Sequence, residues 1–262
     1  MRSMPTPNPD LGGLRVLVTR PAEQAAPLCQ AIEAAGGVAI HYPTIEITSL
    51  PITGKIDPTT ADLGIFISRN AVRYALKNFP HLVDSPLKTI TVGRGSAEEY
   101  QKITGKAIDY TPHQHFNSEG VLALPELADI ADKEIVLFKG EGGRDTLESE
   151  LNKRGATVVP LELYRRTIPN SPSPIQRQAI DIIITTSNMA LENLWEMTPE
   201  SEQPILLNKP LIVVSERGEK LAEALGFHYH PLNARSAGTE TLLESLREWQ
   251  QANDHNHKGD PH

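Results

Sequence analysis

Six short runs rich in valine, isoleucine and leucine punctuate the chain, at 14–19, 63–68, 88–93, 134–139, 181–187 and 211–215. Each is bounded by glycine, proline, serine or a charged residue, the pattern of strands buried on both faces. Between them lie stretches with helical spacing of apolar residues, at 23–35, 71–78, 97–104, 147–154, 190–196, 219–225 and 241–249. Strand then helix, repeated, predicts an α/β protein with parallel sheets covered on both sides. Stretches 48–60 and 169–174, rich in proline, threonine or serine, read as linkers. The polar end, 253–262, carries His255, His257 and His262. A frayed, disordered tail is the expectation there, ahead of metal binding.

The pattern also repeats itself. V-L-V-T-R ending at Arg20, with Gly36 beyond it, resembles I-V-L-F-K ending at Lys139, with Gly155 beyond it. D-L-G-I-F-I-S-R-N-A-V from Asp62 resembles D-I-I-I-T-T-S-N-M-A-L from Asp181. Arg20 and Lys139, Gly36 and Gly155, Asp62 and Asp181, Ser68 and Ser187, Ala71 and Ala190 are all 119 positions apart. Further on, Gly93 aligns with Ser215 and Ser118 with Thr239. A register that persists along the whole chain marks the duplication of one unit of roughly 120 residues.

The formal net charge of −8 argues against general nucleic-acid binding, which needs a basic face. An acidic chain can still hold an anion with local basic residues and oriented backbone N–H groups. The lone Cys29 excludes an internal disulfide and a cysteine-only zinc cage. No apolar run approaches the ~18–20 residues of a membrane helix. The opening MRSMPTPNPDLGG lacks the apolar core of a secretory signal. A cytoplasmic protein is expected. A monomer is expected too, because no long apolar surface stretch asks for a partner.

Ligands of parallel α/β sheets collect at the carboxyl ends of strands, where helix N-termini present free N–H groups. Here every predicted strand ends in small polar or basic residues: Thr19-Arg20, Ser68-Arg69-Asn70, Gly93-Arg94-Gly95-Ser96, Lys139-Gly140, Thr186-Ser187-Asn188 and Ser215-Glu216-Arg217. Singly, each serves as well for a helix N-cap. Six in two related units point to an anion-binding rim. The glycine-dense K-G-E-G-G-R at 139–144 fits an anion-cradling loop or a tight strand-to-helix turn. It is neither a Walker loop nor a dinucleotide fingerprint. Metalloprotease, nucleophile-elbow and paired-cysteine motifs are missing, and His41, His81, His113, His115, His228 and His230 lack ligand spacing, so no metal site is supported.

Read in order, these segments resemble uroporphyrinogen-III synthase. The resemblance covers about residues 14–249. It rests on V-L-V-T-R-P-A at 16–22, F-I-S-R-N-A-V at 66–72, V-G-R-G-S-A at 92–97, N-S-E-G at 117–120, K-G-E-G-G-R at 139–144, R-G-A-x-V at 154–158, L-Y-R-R at 163–166, T-T-S-N at 185–188 and V-S-x-R at 214–217. It implies a cyclising hydro-lyase that takes hydroxymethylbilane, a linear tetrapyrrole with eight carboxylates, to uroporphyrinogen III. The last pyrrole ring is inverted through a spirocyclic pyrrolenine, without cofactor or metal. The substrate is a small molecule, and a transient contact with hydroxymethylbilane synthase would fit. Nucleic acid and membrane are not expected partners.

The resemblance also implies site residues and an architecture. Tyr164 is the catalytic candidate, since a phenol there can hydrogen-bond or protonate the departing hydroxyl; packing within the sheet is the alternative. Substrate-binding candidates are Arg20, Ser68, Asn70, Ser96, Lys139, Gly140, Arg144, Thr186, Ser187, Ser215 and Arg217. The expected fold has two similar, flavodoxin-like, parallel-sheet domains with the site in the cleft between them. Domain 1 is discontinuous, 1–43 with 167–262, and domain 2 is 44–166. A two-stranded antiparallel linker, about 38–47 and 157–167, joins them. A non-catalytic tetrapyrrole or anion sensor on the same scaffold, or a phospho-sugar or nucleotide-handling enzyme, are the other readings.

Overall fold

The short apolar runs become strands because the alternatives would leave their side chains in water. Residues 11–53, 56–143 and 145–257 are described by the computed structural model. In chain order they form β1 (Arg15–Val18), α1 (Ala22–Ala34), β2 (Val38–His41) and β3 (Glu46–Ser49). Next come β4 (Leu63–Phe66), α2 (Arg69–Asn78), β5 (Lys88–Thr91), α3 (Arg94–Thr104) and the short α4 (Ser118–Leu122). The middle of the chain gives β6 (Glu134–Gly140), α5 (Thr146–Lys153) and the long β7 (Thr157–Thr167). The remainder is β8 (Ile182–Ile184), α6 (Asn188–Met197), α7 (Gln203–Leu207), β9 (Leu211–Val213), α8 (Glu216–Leu225), β10 (Leu232–Asn233) and α9 (Thr239–His257).

These elements fall into two compact units, one made of the chain up to Glu46 and from Thr167 onward, the other of Ile47–Arg166. The first holds a sheet of order β10-β9-β8-β1-β2, the second a sheet of order β3-β7-β6-β4-β5. Tyr110 bridges Ile90 in parallel at the outer edge of β5. Matching the strands through the duplication makes β2-β1-β8-β9 equivalent to β7-β6-β4-β5, with the Tyr110 bridge standing where β10 is and β3 added beyond β7. Each sheet takes its first strand–helix–strand from one copy (β1-α1-β2 or β6-α5-β7) and its remaining strands from the other. The shared order is the doubly wound 2-1-3-4-5 type, in which the ligand edge lies beside the first and third strands.

One polar contact repeats with this exchange. In the first unit the backbone N–H of Arg15 donates to Asp181 Oδ2 at 2.8 Å, and in the second that of Glu134 donates to Asp62 Oδ2 at 2.9 Å. Both bonds join the strand start of one copy to the strand start of the other. In the first unit the Arg15 side chain adds two further bonds to the Asp181 carboxylate.

Both sheets are buried on both faces. Val16, Val18, Ile182 and Ile184 pack into one cluster while Leu17 and Ile183 pack into another. Phe66, Val136 and Phe138 belong to a third, while Ile65, Ile135 and Leu137 belong to a fourth. Alternate residues of a strand point to opposite faces, so the four clusters are the two sides of each sheet. Gly36 and Gly155, at φ +78° and +87°, turn the chain after α1 and α5 into the following strands. A side chain is strained there, which accounts for the paired glycines seen in the repeat.

Three features differ from the sequence reading. Residues 38–47 are not one strand: β2 pairs with β1, whereas β3 lies beside β7. Pro43 supplies no N–H to a ladder, and Thr44 turns inward, its Oγ1 donating to Ala190 O at 3.0 Å while Asn193 Nδ2 donates to Thr44 O at 2.7 Å. The long β7 runs parallel to β6 as an interior strand. Residues 253–257, expected in a frayed tail, continue α9. No glycine or proline interrupts that stretch, and Asn253 Nδ2 bonds back to Trp249 O at 2.9 Å. Among the described residues no helix is long and apolar enough to cross a membrane.

Candidate functional site

Three of the six strand ends are built as side-chain N-caps. Ser68 accepts from Ala71 N at 3.0 Å, Ser187 from Ala190 N at 3.1 Å and Ser215 from Gly218 N at 3.2 Å. Each leaves its extended strand with φ near −160° and opens a helix, α2, α6 and α8. Helix N-termini therefore stand at the carboxyl edge of both sheets, with the donors and partial positive charge that suit an anion.

In the second unit the sheet order brings three predicted residues into contact. Gly140 ends β6 and is paired with Tyr164 on β7, while Ser68 follows β4 on the other side of β6. The Tyr164 hydroxyl lies 2.8 Å from Ser68 Oγ, and Arg166 Nη2 donates to it from 3.4 Å. The Arg166 guanidinium also sits 5.5 Å from the centre of the Tyr164 ring. The ring also stacks against Tyr74, with centroids 5.4 Å apart. Tyr74 is held by donating to Ile47 O at 3.0 Å. Tyr164 is only 1% exposed, whereas Ser68 is half-buried. The ring is thus packed within the second unit, as the packing alternative expected, while its hydroxyl faces Ser68.

Gly140 is the residue that allows this packing. A Cβ there would come within 2.6 Å of Tyr164 Cε2 and 2.7 Å of Cζ. A register irregularity between Lys139 and Gly140 lets β6 pass the ring.

The other candidates of this unit are nearby in the fold but engaged differently. Lys139 is buried, and its Nζ reaches Asp145 Oδ1 at 3.6 Å. Asn70, 5% exposed in the first turn of α2, keeps its Oδ1 buried with no hydrogen-bond partner among the described residues. Ser96 is buried in the first turn of α3. Arg144 lies outside the described residues.

The first unit assembles the corresponding set at the ends of β1, β8 and β9. Arg20 is buried, with Nη2 donating to Ala237 O. Arg20 and Lys139 are thus repeat-related cations turned inward at equivalent strand ends. Thr186 and Ser187 follow β8, and Ser215 and Arg217 follow β9. Arg217 is exposed, and its backbone O accepts from Asn188 Nδ2 at 3.4 Å.

Sequence reasoning missed Arg166 and Tyr74. The first was accessible, because two residues along a strand means the same face. The second depends on where α2 packs. A hollow of about 790 Å³, lined by Asp62, Lys88, Glu126 and Lys133 among others, opens at the amino ends of β4–β6. That is the opposite edge from Ser68, so we do not place the site there.

Fold and strand ends together define the class: a duplicated, doubly wound α/β protein with helix N-termini at the carboxyl ends of its strands. The profile of the family described as uroporphyrinogen-III synthase HemD matches residues 26–230. The uroporphyrinogen-III synthase of Escherichia coli K12 is 31% identical over 252 residues, covering 89% of this chain and all of that protein. That of Proteus mirabilis is 35% identical over 161 residues, 58% of this chain and 80% of that protein. The chain belongs to the uroporphyrinogen-III synthase HemD family. Solved structures share the fold. A mutant uroporphyrinogen III synthase from the extreme thermophile Thermus thermophilus superimposes with a TM-score of 0.59 at 18% identity, over 91% of this chain and 99% of that one. The uroporphyrinogen-III synthetase of Helicobacter pylori 26695 gives 0.60 at 14% identity, over 90% and 99%.

Proposed function

We propose that the chain is a uroporphyrinogen-III synthase, a lyase that closes hydroxymethylbilane with loss of water and inversion of the last ring. The observation that carries this reading is the 31% identity running through the whole of the E. coli synthase. The geometry adds a chemical rationale. Eight substrate carboxylates suit a rim of capped helix N-termini repeated in two units, each contributing charge-assisted or dipolar hydrogen bonds.

Uncatalysed closure gives the uninverted isomer I, so the protein's task is to hold a flexible chain with the disfavoured carbon in attacking position. Loss of the terminal hydroxyl needs a proton, and the electrophile it leaves is cationic. Tyr164 and Ser68 supply hydroxyl groups at the strand edge for the first need. Carboxylates of the substrate itself meet the second. Binding spread over many backbone donors makes single substitutions at Arg20, Asn70, Ser96, Lys139, Gly140, Arg144, Thr186, Ser187, Ser215 or Arg217 costly rather than fatal.

Complementation tests the reading in cells. A bacterial strain lacking its own synthase should regain haem-dependent growth when it expresses this chain. Failure to rescue, with the protein present in soluble form, would count against the assignment.

A further inference from the structure

The hydroxyl pair has a direction. Tyr164 is 1% exposed, so its phenol is walled off from any ligand in this arrangement. Its oxygen already receives a hydrogen bond from Arg166 Nη2 at 3.4 Å. The phenolic hydrogen of a buried tyrosine needs an acceptor, and among the described residues the one within reach is Ser68 Oγ, 2.8 Å away. If Ser68 donated to Tyr164 instead, that phenolic hydrogen would be left buried and unpaired, at a cost. Ser68 Oγ also accepts the Ala71 N–H at 3.0 Å. Its two lone pairs are then filled, and its own hydrogen is the one donor of the chain left to point outward. The bonds run Arg166 to Tyr164 to Ser68, each polarising the next.

We infer that Ser68, and not Tyr164, is the group that hands a proton to the departing hydroxyl of the bilane, with Tyr164 recharging it from behind. The inference rests on the synthase reading above. The C–O bond of the terminal hydroxymethyl group breaks with its electron pair on oxygen. That oxygen takes the Ser68 proton and leaves as water. Ser68 Oγ takes the phenolic proton of Tyr164 in the same motion, and the first ring is left as an azafulvenium cation. The negative charge then resides on Tyr164, held beside the Arg166 guanidinium. When the inverted ring closes and its carbon sheds a proton, that proton returns through Ser68 to Tyr164. No proton is consumed over the cycle. Ser68 is thereby the catalytic group, and Tyr164 and Arg166 act through it.

The test uses the full chain with hydroxymethylbilane and separates isomers III and I. Ser68→Asn keeps a helix cap but removes the hydroxyl. Ser68→Thr keeps both. Ser68→Asn and Tyr164→Phe should each lower kcat by about 10²-fold with KM changed by no more than about twofold. The double variant should be no slower than the slower single one, because both residues serve one proton path. Ser68→Thr should recover to within about threefold of the unchanged chain. Melting temperatures verify that each variant is folded. Ser68→Asn turning over at full speed, altering KM alone, or multiplying with Tyr164→Phe would overturn the relay. In those cases the unchanged chain still forms isomer III and the synthase reading stands. Isomer I alone from the unchanged chain would overturn both.

Discussion

A methyl group added at Gly140 would meet two carbons of the Tyr164 ring at 2.6 and 2.7 Å, far inside contact distance. The ring is also stacked against Tyr74 and 1% exposed, so it has little room to move. Gly140→Ala should therefore cost about 1–3 kcal/mol of stability, as overpacked cores do. It should also pull the phenol away from Ser68. Urea unfolding checks the first point, and an unchanged midpoint would show that the ring has room after all. Ser68 and Gly140 were legible in the sequence as a cap and a glycine after a strand. Their meeting with Tyr164 was not. Residues 68 and 164 touch because β4 and β7 both flank β6, and that order is a property of the folded sheet.

The strands and helices themselves were readable because each is short, apolar and sharply bounded. β2 and β3 were blurred, since their residues are half-buried or exposed and carry little apolar signal. What welds strands from different copies together is also partly polar. Asp181 accepts from the backbone and side chain of Arg15, and the Arg15 hydrogen bond holds its carboxyl below the usual carboxylate range. A lowered folded-state value means the contribution is complete above the unfolded carboxylate range, near ~4, and is lost as pH falls through the folded value. Asp181→Asn should thus be less stable than the unchanged chain at neutral pH. The gap in denaturation midpoint should narrow as the solution is acidified below that range. A gap that stays constant down to strong acid would show that the carboxylate charge contributes nothing.

The duplication, obvious in the sequence, invites a cut between the copies near residue 130. The contacts put the boundaries elsewhere, at 46/47 and 166/167. All five strands of the second sheet lie within 47–166 or border it, so we expect a fragment of that span to fold cooperatively alone. A fragment of residues 11–130 should not, because β1 and β4 belong to different sheets. Circular dichroism melts of the two fragments decide it, and a cooperative melt of 11–130 would refute the exchange. Of the large exposed apolar side chains, Val38 lies on β2, Ile103 on α3, and Ile168 and Tyr229 between elements; we propose a monomer. Light scattering should give about 28.8 kDa.

The function is tested by adding increasing amounts of the purified chain to a fixed quantity of hydroxymethylbilane, then oxidising and separating the isomers. The proposal predicts that isomer III replaces isomer I as protein is added, at an initial rate proportional to protein. Isomer I alone, forming at a rate indifferent to protein, would contradict it.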